Sequence, residues 1–541
     1  MFLSIWASLR EGSAVDTDVI VVGAGPTGLM LAGELRLGGA RVVVVEKLAE
    51  PTGQSRGLGF TARAMEVFDQ RGLLPRFGGL EKSPMGHFGG VQFDYTVLED
   101  AHFGARGVPQ SQTEAVLEEW AGELGADIRR GWELTKLAED ADGVEIVAAT
   151  PEGEQRVRGA YLVGCDGGQS VVRKAAGFDF PGLPATRRMY LADVTGCDIR
   201  PRFLGERLDN GMVMAAPLAP GVDRIIVCED GTPAGDRPQA VEFDEVAAAW
   251  ERITGESLAG GGADWVSSFT DATRQVSAYR KGRVLLAGDA AHVHLPAGGQ
   301  GLSTGVQDAV NLGWKLAAVA RGDMPDALLD SYHDERHPVG ARLLMNTRAQ
   351  GMIFLGGAEA DPVRKVFGEL MELTEVRRRL AGVVSHLDIT YDFGSAPGAH
   401  PLVGRRLPPR PLRLADGTQT TTTALLHPAR GVLLDLADDA GLRERAAGWA
   451  DRIPVVTATP ETPEVFSGAT ALLVRPDGHV AWAAGGEDTA PMSDPHDTAA
   501  QAQAAAAATP AAPEATETDV AAGIDSLVTA LHHWFGTAEV A

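Results

Sequence analysis

The strongest constraint on the fold is a cluster of three glycines at the end of an apolar run. Asp18-Val-Ile-Val-Val leads into Gly23-Ala-Gly25-Pro26-Thr-Gly28, and Pro26 to Leu37 has the composition of a helix. A second apolar run, Arg41-Val-Val-Val-Val, then closes on Glu46. Continuous rather than alternating apolar runs predict parallel strands buried on both faces, so the opening unit reads as strand, helix, strand in an α/β, Rossmann-like domain. The three glycines serve different ends. Gly23 makes the tight turn, Gly25 lets backbone N–H groups approach a pyrophosphate, and Gly28 allows the helix to pack closely on the strand. Pro26 starts the helix. Glu46, about 20 residues further on, is placed to accept hydrogen bonds from a ribose. This pattern predicts a bound dinucleotide and does not by itself separate NAD from FAD.

Two later segments narrow the choice. Tyr161-Leu-Val-Gly-Cys165-Asp166-Gly167-Gly-Gln-Ser170-Val-Val-Arg173 is an apolar strand leaving through an acidic glycine turn, which alone fits a structural turn as well as a functional one. The other is Arg283-Val-Leu-Leu-Ala-Gly288-Asp289-Ala-Ala-His292-Val-His-Leu-Pro296-Ala-Gly298-Gly299-Gln-Gly301-Leu302. Its Asp289 ends a strand, where a carboxylate can bond a sugar-like hydroxyl such as a ribityl chain. Pro296 and the glycines after it form an open backbone ending at a helix N-terminus, which can lie against a flat electron-accepting ring and stabilise negative charge there.

With these three elements the chain resembles the class A FAD-dependent aromatic hydroxylases, the group of para-hydroxybenzoate and phenol hydroxylases. Asp166, Gly167, Ser170 and Arg173 match that family's D-G-x-x-S-x-x-R pattern, and Gly288 to Pro296 match G-D-A-A-H-x-x-x-P without a gap. The chain is similar in particular to hydroxylases that tailor aromatic polyketides of the angucycline and anthracycline types. That likeness runs through Ser55 to Gly72, Val108 to Glu114 and Leu473 to Trp482, and so covers nearly all of Asp16 to Gly485. The resemblance implies FAD as resident cofactor, NADPH as a transient co-substrate, and hydroxylation with O2 through a flavin C4a-hydroperoxide. It further implies that Arg56 and Gln112 contact the FAD phosphates or ribityl chain and that Lys47 lies beside the adenosine. Gly299, Gly301 and Leu302, within Gly298 to Leu302, are expected to face the isoalloxazine N1 and O2. The stretch His87 to Phe93 resembles the part that borders substrate, which nominates Val91, Gln92 and Phe93.

Met212 and Met214 alternate on a predicted strand, where core packing and the lining of an adaptable apolar cavity both fit. No side chain stands out as an essential acid or base. Two other readings stay compatible with the residues. One is an oxidoreductase of the same fold that reduces a carbonyl or inserts oxygen beside it, and the other is a flavin-binding partner without turnover.

Residues 16–177 and 276–395 read as a discontinuous FAD-binding domain. Alternating runs such as Arg224-Ile-Ile-Val-Cys-Glu predict an inserted antiparallel-sheet, substrate-binding domain over 178–275. Residues 400–541 resemble a thioredoxin-like domain without the redox cysteine pair, interrupted by a flexible Ala- and Pro-rich insertion at about 490–520. Residues 1–15 read as an N-terminal extension. A net charge of -25 disfavours nucleic acid and acidic membrane surfaces, and three cysteines without a C-x-x-C pair suit a reducing cytoplasm. Oligomeric state is left open.

Three further motifs are set aside. His333-Asp-Glu-Arg-His337 has its acid in the wrong place for H-E-x-x-H, and His292 with His294 reads as packing within the flavin signature rather than as a metal pair. Gly301-Leu-Ser303-Thr-Gly305 matches G-x-S-x-G but lacks the strand that a nucleophile elbow needs. No metal is expected.

Overall fold

The computed structural model describes residues 15–80, 82–98, 101–234, 241–394, 399–485 and 517–538. The proposed N-terminal extension, apart from its last residue, and most of the proposed 490–520 insertion lie outside these.

Four apolar strands at the centre of the molecule run parallel, and their order is Val284–Leu286, Gly153–Gly164, Thr17–Val22, Val42–Glu46. Leu286, Gly164, Val22 and Val45 stand in one row across them. The three signature segments and Glu46 therefore leave the sheet side by side, at the carboxyl ends of adjacent strands, where open α/β sheets bind ligands. Val19 to Val21 and Val44 are almost fully buried because helices cover both faces. Helix Pro26–Leu37 packs against helix Gln300–Ala320, and Gly313 faces the Glu34 side chain so closely that a Cβ would sit 2.4 Å away.

The inserted sheet is antiparallel with order Arg202–Leu208, Gly211–Ala219, Val222–Glu229, Arg188–Thr195, Gly262–Thr270. Period-2 alternation gives it two apolar faces. Tyr190, Ala192, Val213, Ala215 and Ile225 pack on helix Phe243–Thr254, centred on the buried Trp250. Met189, Met212, Met214 and Phe269 turn the other way, toward Leu295 and Ala297 of the third signature segment.

The C-terminal sheet is mixed. Val432–Asp435 and Val455–Pro460 are parallel, with antiparallel strands on either side and helix Ala440–Ala446 between them in sequence. All three cysteines lie before it, so this thioredoxin-like unit carries no thiol chemistry. It is fastened to the FAD-binding sheet's helices by a buried ionic cluster. Arg475 pairs with Glu335 through two 2.7 Å hydrogen bonds and also binds Asp477, while Lys315 lies 3.0 Å from Glu335. Arg475 is roofed by aromatic rings, among them Trp534 at 4.4 Å. Among the described residues no helix is long and apolar enough to cross a membrane.

Candidate active site

The glycine turn is built tightly on one side and open on the other. Gly23 has φ +106, and a Cβ there would lie 2.6 Å from the Cys165 carbonyl oxygen. At Gly28 a Cβ would lie 2.0 Å from the Gly23 oxygen, so only glycine lets the helix start this close to the strand. A Cβ on Gly25 would meet nothing within 4 Å, and the same holds at Gly167 and Gly299. These three glycines, one from each signature segment, thus face free space. Glu46 orders the turn by accepting the Ala24 N–H at 2.8 Å and the Leu48 N–H at 3.0 Å.

The Asp166 carboxylate does not point into that space. It accepts from Ser170 Oγ at 2.5 Å and from the Val171 and Val172 N–H groups at 2.6 and 3.1 Å, capping helix Val171–Ala175. Arg173 is buried, stacks 3.8 Å over the Phe180 ring, and donates to the carbonyls of Gly168 and Ala290. Asp289, in contrast, is exposed at the end of its strand and makes no hydrogen bond to another described residue. Gly288 has φ +61 and packs on Thr27, which joins the first and third segments. Pro296 and Gly299 are exposed; Gly298 and Gly299 adopt φ +71 and +65 ahead of helix Gln300–Ala320. Leu302 packs on Gly57, and Gly301 sits beside His294.

Other expected contacts fall in less direct places. Lys47 is exposed. Arg56 is exposed as well and reaches Ser267 of the inserted sheet at 3.4 Å. Gln112 donates to the Phe77 carbonyl at 3.1 Å, so its amide group is already engaged within the protein. Ser303 is buried inside a helix and accepts the Thr61 N–H at 2.9 Å, far from the geometry of a hydrolase elbow. His333 accepts the Tyr279 N–H and His337 donates to the Val276 carbonyl, roles in loop packing.

The expected substrate-border residues Val91, Gln92 and Phe93 lie on the second strand of a hairpin, Met85–Phe88 and Val91–Asp94. In its register His87 pairs with Gln92, and Phe88 with Val91. Phe93 and Val91 are on the face that packs against Ala381 and Val384. His87 and Gln92 are on the opposite face. Gln92 lines a cavity of about 390 Å³ with Arg200 to Phe203, Gly205 and Glu206, and the His87 ring lies 6.4 Å from that of Phe354. Met212 and Met214 lie beside Leu295, Ala297, Phe354 and Leu355, between the inserted sheet and the third signature segment.

Known proteins share this architecture. Residues 16–347 match the FAD binding domain family, and residues 400–513 match the family of the aromatic-ring hydroxylase C-terminal domain. The chain is 45% identical over 485 residues to the 12-dehydrotetracycline 5-monooxygenase/anhydrotetracycline 6-monooxygenase of Streptomyces rimosus subsp. rimosus, covering 87% of this chain and 96% of that one. The crystal structure of CabE, an aromatic hydroxylase from angucycline biosynthesis, superposes with a TM-score of 0.87 at 55% identity, over 97% of this chain and 100% of that one. A dialkyldecalin synthase of Streptomyces rugosporus is 42% identical over 86% of this chain and 96% of its own length.

The chain belongs to the FAD-binding aromatic-ring hydroxylases. It is an FAD-dependent monooxygenase, and the open strip past Gly25, Gly167 and Gly299 has the chemistry to hold that cofactor: free backbone, a helix N-terminus and the unengaged Asp289 carboxylate.

Several residues that brace this hydroxylase site carry no motif. Arg224 and Asp193, on the cleft side of the inserted sheet, form a bidentate pair at 2.7 Å, and Arg224 also donates to the Ser55 carbonyl. That ties the sheet to the loop carrying Arg56. Asp308 is fully buried; it receives Gly288 N–H at 3.1 Å, His292 Nε2 at 2.8 Å and Arg336 Nε at 2.7 Å. Burial pushes the Asp308 carboxyl up, but Arg336 and His292 outweigh it and hold it below the usual range. Beneath the glycine loop, Gln307 Nε2 donates to His386 Nδ1 at 2.9 Å, His386 Nε2 donates to Gln300 Oε1 at 3.2 Å, and Gln300 Nε2 donates to the Ala297 carbonyl at 3.4 Å.

Proposed function

We propose that this monooxygenase hydroxylates a polycyclic aromatic polyketide, with NADPH as hydride donor and O2 as the source of the new oxygen. The observation that carries the reading is the apolar cluster of Met189, Met212, Met214 and Phe269, which joins the inserted sheet to Leu295 and Ala297 of the third signature segment. Adaptable methionines with an aromatic ring at this join suit a flat fused-ring substrate bound beside them. Relatives that act on tetracycline-type and angucycline-type compounds support the same class.

In this reading Gly23, Pro26 and Gly28 shape the turn whose open backbone at Gly25 receives the pyrophosphate, while Glu46 and Lys47 receive the adenosine ribose and Arg56 the phosphates. Asp289 binds the ribityl chain, and Pro296 to Leu302 border the ring. Asp166 positions this cradle from behind, and Gln112 does so through Phe77. Bound FAD supplies hydride acceptance and oxygen activation, and the protein supplies position and a dry cavity. The overall balance is ArH + NADPH + H+ + O2 giving ArOH + NADP+ + H2O. The domain limits proposed for this arrangement are 16–177 with 276–395, 178–275 and 400–541.

The test is a turnover assay with 18O2 and mass detection on a tetracyclic polyketide phenol. Gain of one labelled oxygen, with NADPH oxidation stimulated by the substrate, is the expected result. The likeness to a dialkyldecalin synthase gives a second reading, ring formation without redox change, and a product of unchanged mass would favour it.

A further inference from the structure

More than half of the large apolar side chains that the fold leaves uncovered are gathered in one region. Eleven are exposed among the described residues, and six of them lie between Met345 and Leu373. Met345 and Met352 stand two turns apart on the outer face of helix Asp330–Leu355, 61% and 70% exposed. Helix Asp361–Leu370 buries no residue and turns Val363, Val366 and Leu370 outward at i, i+3 and i+7, and Leu373 follows it. The inward side of this helix is already taken by Phe367, whose ring lies 5.6 Å from that of Phe88. Arg364 stitches the two helices together by donating to the Ile353 carbonyl at 2.7 Å and the Gly357 carbonyl at 3.2 Å. The residue after Val363 is thus held on the residue after Met352, and the two apolar stripes meet at that join.

Size and charge point to the occupant. Six side chains with about half of their surface exposed present on the order of 600 Å² of largely apolar area, the upper end of what an ordinary monomer shows, and a polar rim brings them to the ~800 Å² per partner of a standard interface. Arg348, on the same face as the two methionines, is exposed and forms no ion pair among the described residues, and the same is true of Lys365 and Arg378. Glu369, Glu372 and Glu375 are exposed and equally without ion pairs there. Free cations and free carboxylates therefore balance at this surface, in a chain whose net charge is -25. An anionic lipid surface or a strongly acidic protein would match only the cations and would be repelled by the rest of the chain. A second copy related by a two-fold axis matches both signs, because each cation can meet a carboxylate of the other copy while the apolar stripe meets itself.

We propose that this surface joins two copies of the chain through an isologous interface built on Met345, Met352, Val363, Val366 and Leu370. The pairing also supports the region that borders Gln92. Gly89 and Gly90, at the turn of the hairpin that carries Gln92, rest on Ile353 and Phe354 so closely that a Cβ at either glycine would come within 2.9 Å. The partner copy backs the same helical turn from its other side.

Sedimentation velocity of the FAD-loaded full chain is the test. At about 10 μM the wild type is expected to run at twice the mass of one chain. Met352→Glu and Val366→Glu alter exposed positions and are expected to retain FAD and a native circular dichroism spectrum. By symmetry each places two carboxylates in the interface, and each is expected to raise the dimer dissociation constant by at least about a hundredfold. Leu183→Glu, an exposed apolar position outside this region, is expected to leave dimerisation unchanged. A wild type that sediments as a single chain at that concentration would overturn the proposal, as would a dimer that survives both substitutions or is weakened equally by Leu183→Glu. Binding to vesicles of phosphatidylcholine and phosphatidylglycerol that Met352→Glu abolishes would make this a lipid-binding face and would overturn it too.

Discussion

Arg173 donates from Nη1 to the Ala290 carbonyl at 2.9 Å, so the second signature segment is bonded directly to the third. Its Nη2 binds Gly168 in its own loop at 2.7 Å. The arginine of the D-G-x-x-S-x-x-R pattern therefore faces protein and keeps the two loops at a fixed spacing. A lysine ammonium cannot span both carbonyls. Arg173→Lys is expected to cost about 2 kcal/mol of stability and to release FAD more readily. Urea unfolding and flavin fluorescence after dilution measure the two effects, and a variant that matches wild type in both would remove Arg173 from this role.

Gly25 and Gly28 separate binding from folding. A methyl group at Gly28 would overlap the Gly23 carbonyl, whereas at Gly25, with φ -81, it enters open space. Gly25→Ala is expected to be purified colourless, because the methyl occupies the pyrophosphate's place, and to unfold at the temperature of FAD-free wild type. Gly28→Ala is expected to be destabilised by several kcal/mol and to accumulate poorly. Thermal melts with FAD content distinguish them; a yellow Gly25→Ala protein would contradict a pyrophosphate cradle at this turn.

Those two glycines also indicate what the sequence makes legible. Backbone requirements are, because Gly23, Gly28 and Gly288 need glycine for steric reasons that leave a pattern along the chain. The parallel strand row is legible too, since Val42 to Val45 is apolar without alternation. The hairpin is not: His87 to Phe93 gives no sign of which face is covered, and the packing of helix Thr374–Ser385 buries Phe88 and Phe93 and leaves His87 and Gln92 on the other face. Asp308, His386 and Arg224 escape sequence reasoning because each acts through partners far away along the chain. Asp166 leaves its strand in a turn and Gln112 lies in the first turn of helix Gln110–Glu123, but the hydrogen bonds of both turn inward, which spacing does not reveal.

Acid should loosen the seam between the two larger units. Burial raises the Glu335 carboxyl, yet Arg475 and Lys315 more than compensate and bring it from 4.5 down to about 2. The unfolded chain then takes up a proton that the folded one refuses. The stabilisation is complete above pH 4.5 and is lost as pH falls toward 2, on the order of 2 to 4 kcal/mol. Glu335→Gln is expected to be less stable than wild type at neutral pH, with the gap closing over that acid range. Denaturant midpoints of both proteins from pH 7 to pH 2 check it, and a gap independent of pH would assign the loss to packing alone.

His386 links helix Thr374–Ser385 to the flavin-facing loop, and it does so as a neutral ring. Burial, with Arg336 and His294 nearby, takes its pKa down to about 3, so Nδ1 stays an acceptor for Gln307 and Nε2 a donor to Gln300 throughout the working range. The residue also has φ +61, a conformation that asparagine tolerates and alanine does not favour. His386→Ala is therefore expected to lose roughly 2 kcal/mol, from the strained backbone and the two abandoned amides, and His386→Asn less. The consequence for catalysis should be in coupling rather than in FAD content. Without Gln300 held, Ala297 and Gly298 lose their register against the substrate wall, and more of the NADPH consumed should appear as hydrogen peroxide. The ratio of peroxide to hydroxylated product is expected to rise several-fold in His386→Ala, with no new inflection between pH 6 and 8 in the wild-type profile. A titration in that range that disappears in the variant would mean that the ring is protonated in the folded enzyme and that the relay runs the other way.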